Sequence, residues 1–267
     1  MPKQKVNGIN LFYVDEGEGE PLLMIPGHGG SSSLWNLQIY YFSQFYRVIA
    51  IDNRGAGQSD KPEAPYSMDM FDRDVHDQLA MLNIINPVNL MAASMGGIIA
   101  QAFIHNYPER VKKLILACSG VAAGDSHYTP MEQKILDQIY HPGETPKEKY
   151  TTLFKLFYHQ DYLDANPNLV ELVLSNNPDE QPKHAYEAQL EACMDDRPYY
   201  EWLQAIDVPT LIVHSKEDII WPIENAYTLQ KGIGDNARLH IIERAGHILF
   251  REKPEEFNLV VDAFLRE

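Results

Sequence analysis

The stretch Val88-Asn89-Leu90-Met91-Ala92-Ala93-Ser94-Met95-Gly96-Gly97-Ile98-Ile99-Ala100-Gln101-Ala102-Phe103 passes from a short apolar strand directly into a helix-like run. Its junction is built of small residues, with Ala92 two positions before Ser94 and Gly96 two positions after it. A sharp strand-to-helix turn needs that pattern. Only small side chains there let strand and helix approach while the central side chain is lifted clear of the sheet. Ser94 is therefore a candidate nucleophile. The helix beginning at Met95 would aim unpaired amides and its positive dipole end at an oxyanion forming there. A capping serine on an ordinary strand-to-helix connection accounts for the same residues, so the decision rests on the rest of the chain.

Outward from this junction, short apolar runs alternate with amphipathic ones. Upstream the pattern predicts a strand over 22–25, a helix over 34–45, a strand over 48–51 and a helix over 68–83. A strand over 114–117 follows, and a second series closes the chain: strand 210–213, helix 223–231, strand 239–242 and helix 254–265. Such alternation specifies an α/β fold with a mostly parallel, doubly wound sheet and helices on both faces. Near the start, Asn7-Gly8 is the dipeptide favoured in two-residue hairpins, which predicts an antiparallel edge.

Strands vanish between 121 and 205, where helix-like segments over 131–140, 147–158 and 183–193 are separated by Pro and Gly. This reads as an inserted helical lid on a core formed by 1–120 and 206–267. The lid is rich in large apolar side chains, among them Tyr150, Phe154, Phe157, Tyr158, Tyr162 and Leu163. For most of these the expectation is packing of lid helices on one another; lining an apolar pocket above the sheet is the other reading.

A serine hydroxyl is a poor nucleophile at neutral pH. It needs a histidine to take its proton and a carboxylate to hold that histidine in the right tautomer. Both are expected on loops at the carboxyl ends of later strands, where α/β sheets put their sites. Asp218 follows the strand at 210–213 and His247 follows the strand at 239–242. Glu217 is the alternative acid, and Asp218 is preferred because Pro222 fits a loop turning sharply into the next helix. The other histidines fall on helix-like or lid segments or within strands; His214, close to the acid, reads as structural. The loop Pro26-Gly27-His28-Gly29-Gly30 supplies the second half of an oxyanion hole, which is assigned to the backbone amides of His28 and Met95, with a further contact from the His28 side chain to substrate open. The loop matches neither G-x-x-x-x-G-K-[ST] nor G-x-G-x-x-G, which argues against a nucleotide site.

Composition narrows the partners. The chain has 267 residues, 38 acidic against 22 basic, and a formal net charge of −16. That charge repels phosphate backbones and anionic lipid rather than recruiting them, so no nucleic acid and no membrane partner is expected. Residues 1–10 lack the apolar stretch of a secretory signal, and the expectation is a cytoplasmic protein. The two cysteines, Cys118 and Cys193, without His or Cys at metal-ligand spacing, suggest reduced thiols and neither a disulfide framework nor a zinc site. No cofactor is implied.

With Ser94, Asp218 and His247 in that order, the chain resembles the α/β-hydrolase superfamily over residues 21–264. The resemblance is carried by Pro26-Gly27-His28-Gly29-Gly30, Asp52-Asn53-Arg54-Gly55-Ala56-Gly57-Gln58-Ser59-Asp60, Ser94-Met95-Gly96-Gly97, Val208-Pro209 leading to Asp218, and Ala245-Gly246-His247. The Asp-Asn-Arg-Gly and Ser-Met-Gly-Gly forms are similar to the branch holding 3-oxoadipate enol-lactonases and small-ester carboxylesterases. The chain departs from the family's usual His-Gly at Pro26-Gly27 and from its usual Gly at Ala92. The resemblance implies hydrolysis of a small carboxylic ester or lactone through an acyl-enzyme, acting on a small-molecule acyl substrate. Three other readings stand beside it: a carbon–carbon bond hydrolase of a vinylogous diketone using a lid-edge cation such as Arg197, a cofactor-free haloperoxidase or perhydrolase, and a ligand receptor that keeps the triad.

Overall fold

The computed structural model describes residues 3–176 and 181–267. The chain opens with β1 (Lys3–Val6) and β2 (Ile9–Glu16), joined through Asn7 and Gly8 at φ 49° and 85°. Both residues are in the left-handed region that a tight hairpin turn demands, and Val6 faces Ile9 across it. Then come β3 (Pro21–Ile25), α1 (Asn36–Phe42), β4 (Arg47–Ile51), α2 (Met68–Met81), β5 (Val88–Ala93), α3 (Met95–Asn106) and β6 (Val111–Ala117). Between β6 and the next strand lie α4 (Gln133–Tyr140), α5 (Pro146–Phe157), α6 (Gln160–Ala165), α7 (Leu169–Ser175), α8 (Lys183–Ala192) and α9 (Tyr199–Leu203). The chain closes with β7 (Thr210–Ser215), α10 (Glu224–Ile233), β8 (Ala237–Ile242), α11 (Leu249–Glu252) and α12 (Pro254–Arg266).

The eight strands form one sheet in the order β1-β2-β4-β3-β5-β6-β7-β8. β1 and β2 pair antiparallel with their neighbours, and every later pairing is parallel. The expected α/β sheet, with its antiparallel edge, is what the chain forms. Side chains alternate across each strand, so one strand feeds two cores. Leu23, Ile25, Leu90 and Leu116 pack with Phe71 and Val75 of α2 and with Ile98 and Ile99 of α3. On the other face Leu22, Met24, Met91 and Ile115 pack with Phe42 of α1 and with Phe257, Val261 and Phe264 of α12. Burial on both sides explains why the central strands read as continuous apolar runs rather than alternating ones.

The predicted helix over 34–45 is instead a 3₁₀ turn (Ser32–Trp35) followed by α1, which stops at Phe42. In the segment between β6 and β7, α4, α5 and α8 fall close to the predicted spans, and α5 is closed by a capping box in which Thr145 and Glu148 satisfy each other's amides. α6, α7 and α9 were not predicted. At two turns or fewer they are too short for a helical period to register. α9 packs against α3 and α10, with Tyr199 and Leu203 fully buried. Among the described residues no helix is long and apolar enough to cross a membrane.

Candidate active site

Ser94 sits between β5 and α3 at φ 55°, ψ −125°. A non-glycine residue in that region is strained, and the surroundings hold it there. Its amide donates to the Ala117 carbonyl at 3.0 Å, while its own carbonyl accepts from the Gly97 amide at 2.8 Å and from Ser119 Oγ at 2.8 Å. The small residues read from the sequence have a measurable reason. A Cβ on Gly96 would come within 2.4 Å of the Ile25 carbonyl oxygen, and that backbone cannot yield.

Asp218 lies on the loop after β7 and is almost completely buried. One carboxylate oxygen, Oδ1, accepts the amides of Ile220 at 2.8 Å and Trp221 at 3.0 Å; the other, Oδ2, is 2.8 Å from His247 Nδ1. Since a carboxylate can only accept, Nδ1 carries the proton and Nε2 is left as the basic atom. Burial acts to raise the Asp218 carboxyl, but His247, the neighbouring His214 and the Trp221 amide outweigh it and hold it below the ordinary carboxylate value. The His247 backbone is fixed by its amide donating to the Phe157 carbonyl at 2.7 Å. Glu217 accepts the Arg244 amide instead of reaching the histidine. His214 is structural, as its position suggested: fully buried, it donates Nε2–H to the Trp221 carbonyl at 2.7 Å, and burial lowers its pKa.

The loop carrying His28 is braced from three sides. Asn53 Nδ2 donates to the Pro26 carbonyl at 3.0 Å, Asp52 accepts the Ser32 amide at 2.6 Å, and Gln189 of α8 accepts the Gly29 amide at 2.9 Å. Gln189 is fully buried and also donates to the Arg54 carbonyl at 2.7 Å. Pro26 thus sits in a loop anchored through Asn53, and Asp52 and Asn53 both bond to that loop. The His28 side chain differs from one reading of it: Nε2–H is engaged by the Tyr186 carbonyl at 2.9 Å, with the two rings edge to face at 4.3 Å. Burial pushes its pKa down to about 4, so the ring is neutral at pH 7. Met95 stands at the first helical position, where the amide has no intrahelical partner.

Ser94, His28, Met95 and His247 all open onto one cavity of about 650 Å³ between the sheet's carboxyl edge and the helices α4, α5 and α8; Asp218 lies behind His247, off the wall. Two expectations about this space are corrected. Tyr150, Phe154, Phe157 and Tyr158 line the cavity, whereas of the six named lid residues Tyr162 stacks on Tyr158 and Leu163 faces elsewhere. Arg197 is not on the wall. Its guanidinium is tied to Asp195 and Asp69 and lies over the Trp202 ring at 5.1 Å.

Two groups escaped the sequence reading, Trp221 and Gln189, and the place of a third, Cys118, was not legible beyond its being a reduced thiol. Trp221 donates its indole N–H to Ser94 Oγ at 3.3 Å, directly at the nucleophile. Gln189 had a visible signal, a polar residue on the apolar face formed by Ala185, Tyr186, Ala188 and Ala192, where burial obliges it to find partners. Cys118 lies under the acid–base pair at φ 45°, and burial drives its thiol pKa well up. Cys118, Asp218 and His247 bring one metal-ligating atom each within 4.8 Å of one another, and within that group Asp218 Oδ2 and His247 Nδ1 are already bonded to each other.

Residues 20–254 match the family described as alpha/beta hydrolase fold. The chain belongs to that family. This α/β-hydrolase is 30% identical over 272 residues to 2-hydroxy-6-oxo-6-phenylhexa-2,4-dienoate hydrolase of Comamonas testosteroni, covering 96% of this chain and 91% of the relative. It is 29% identical over 263 residues to 3-oxoadipate enol-lactonase 2 of Acinetobacter baylyi, covering 97% and 94%. The enol-lactonase of Burkholderia xenovorans superposes with a TM-score of 0.85 over the full length of both chains at 23% identity, a likeness of fold. The α/β-hydrolase relatives therefore include both an enol-lactonase and a hydrolase of a 2-hydroxy-6-oxohexa-2,4-dienoate.

Proposed function

We propose that this α/β-hydrolase is a serine hydrolase that cleaves a carboxylic ester or lactone through an acyl-enzyme. The observation that supports it above the others is the buried Asp218–His247 pair at 2.8 Å, opening onto the same cavity as a strained, partly exposed Ser94. Ser94 Oγ attacks the acyl carbonyl and gives its proton to His247 Nε2. The oxyanion is held by the amides of His28 and Met95. Collapse expels the alcohol, which takes the proton back from His247. Water then attacks the acyl-enzyme by the same route in reverse, and Asp218 holds the imidazolium throughout. In the free enzyme the Trp221 indole N–H aims the Ser94 hydroxyl into the cavity.

The test is turnover of an activated acyl ester by wild type and by Ser94→Ala, with circular dichroism as the control for folding. The reading requires a loss of at least about 10⁴-fold in kcat; retention of activity by the variant ends it. The carbon–carbon alternative draws on the Comamonas relative. Its proposed cation, Arg197, is held by two carboxylates off the cavity wall, which favours the ester reading. Faster turnover of a vinylogous diketone than of any ester reverses that preference.

A further inference from the structure

We propose that the substrate is a neutral ester or lactone with a bulky apolar body, rather than a short or carboxylate-bearing acyl compound. This deepens, and rests on, the hydrolase reading above. Size is the first argument. At about 30 Å³ per water-sized group, a cavity of about 650 Å³ has room for on the order of twenty non-hydrogen atoms. A small ester would leave most of it filled with water against Leu136, Ile139, Leu153, Phe154 and Phe250. Covering that carbon surface is the largest favourable term open to a ligand here.

Charge is the second argument, and it is independent of the first. Among the described residues the wall carries no arginine and one lysine, Lys149, whose ammonium lies over the Tyr186 ring at 4.6 Å. The other ionised wall groups are acids. Asp125 is satisfied by the amides of His127 and Tyr200, at 2.8 and 2.9 Å, and Glu144 is exposed at the turn before α5. His28 is neutral with Nε2–H already engaged. A carboxylate carried deep into this space would lose its hydration beside aliphatic and aromatic carbon, with Lys149 the one Lys or Arg on the described wall to set against that cost. The net charge of −16 opposes its approach as well. At one end of the wall stand Ser94, with the Trp221 N–H on its Oγ, and the backbone of His28 and Met95. They suit one acyl group and leave the remainder of the ligand to apolar contact.

The experiment is kcat/KM of the wild type on p-nitrophenyl esters from acetyl to decanoyl, a benzoyl ester, and the half-ester of a dicarboxylic acid matched in length to the octanoyl compound. The expected result is a rise of about two- to fourfold per methylene up to octanoyl. The carboxylate-tipped ester should fall at least about a hundredfold below its methyl-ended match. A maximum at acetyl, or a preference for the carboxylate-tipped chain, overturns the proposal and leaves the hydrolase reading standing. Titration of Ser94→Ala with the methyl esters of the same acids, followed by tryptophan fluorescence, separates the two. Tightening with chain length, with no turnover by wild type, supports the cavity assignment and ends the hydrolase reading; affinity indifferent to length overturns the cavity assignment.

Discussion

One cavity is walled by two regions of different construction. The sheet side brings Ser94, His28, Asp218 and His247, each just beyond the end of a parallel strand, with β3, β5 and β7 buried on both faces and β8 half-buried at the sheet edge. The side formed by α4, α5 and α8 brings aromatic and aliphatic bulk from short helices whose inward faces end at a space rather than at a packed neighbour. Positions on the first side are fixed by close backbone approach and by buried hydrogen bonds. Those on the second are set by the volume left over. On the proposed mechanism, chemistry therefore sits where the backbone is over-determined, and ligand shape sits where it is not.

Substitutions across the two regions can break or sharpen this contrast. The largest effect is expected for Asp218→Asn, which keeps the shape but removes the acceptor that fixes the His247 tautomer: kcat should fall about 10⁴-fold with KM little changed. A loss below tenfold in steady-state assays would mean that the sheet side does not own the chemistry. Next comes Gln189→Leu, which sits on the helical side but serves the oxyanion loop. It removes the partner of the part-buried Gly29 amide and leaves the Arg54 carbonyl unpartnered in a buried place. Loss of about 2 kcal/mol in denaturant unfolding and about 10- to 100-fold in kcat is expected, with KM nearly unmoved. An effect confined to KM would return Gln189 to the wall.

Phe154→Ala tests that wall in isolation. It should raise KM for long acyl chains about tenfold, leave kcat within about twofold and spare the acetyl ester. The last test falls on His28, at the seam. Its folded pKa of about 4 lies below the ordinary 6.5, so between those values the unfolded chain binds a proton that the native one excludes. Stability should consequently fall as pH drops from 6.5 toward 4, with His28 contributing up to about 1.4 kcal/mol per pH unit. Unfolding of His28→Gln at pH 7, 6 and 5 should show a shallower decline, and an identical slope would separate the ring from this linkage.

What could be read in the sequence follows the same division. The central strands β3, β4 and β5 announce themselves because burial on both faces keeps them almost wholly apolar. Ser94 does so because Ala92 and Gly96 are a steric requirement, visible without any partner in space. The choice between Asp218 and Glu217 was less secure, since neighbouring carboxylates look alike in sequence; the loop decides it by folding the Ile220 and Trp221 amides onto Asp218. The helical side was harder for a physical reason. An apolar periodicity says which face of α5 avoids water, but it is the same whether that face meets another helix or a cavity. For most of the six large apolar residues packing is therefore the expectation although four of them line the cavity, and Arg197 can be placed at the site in sequence because its ties to Asp195 and Asp69 depend on the fold. Trp221 had no local signal at all, since its indole reaches Ser94 from a different strand's loop.

The bonds that cross between the two regions include Tyr186 carbonyl to His28, Gln189 to Gly29 and Arg54, His184 to the Lys61 carbonyl, and the Phe157 carbonyl to the His247 and Ile248 amides. They divide the helical segment into lengths that can drift during divergence and lengths that cannot. Inner-face residues of α4 and the early turns of α5 make none of these bonds, so a lineage can retune its diet there one substitution at a time. The end of α5 and the middle of α8 are tethered to the reacting centre. A chimera that imports a whole segment from a relative would inherit a working enzyme only if the donor brings acceptors that meet His28, Gly29 and His247 at the same places.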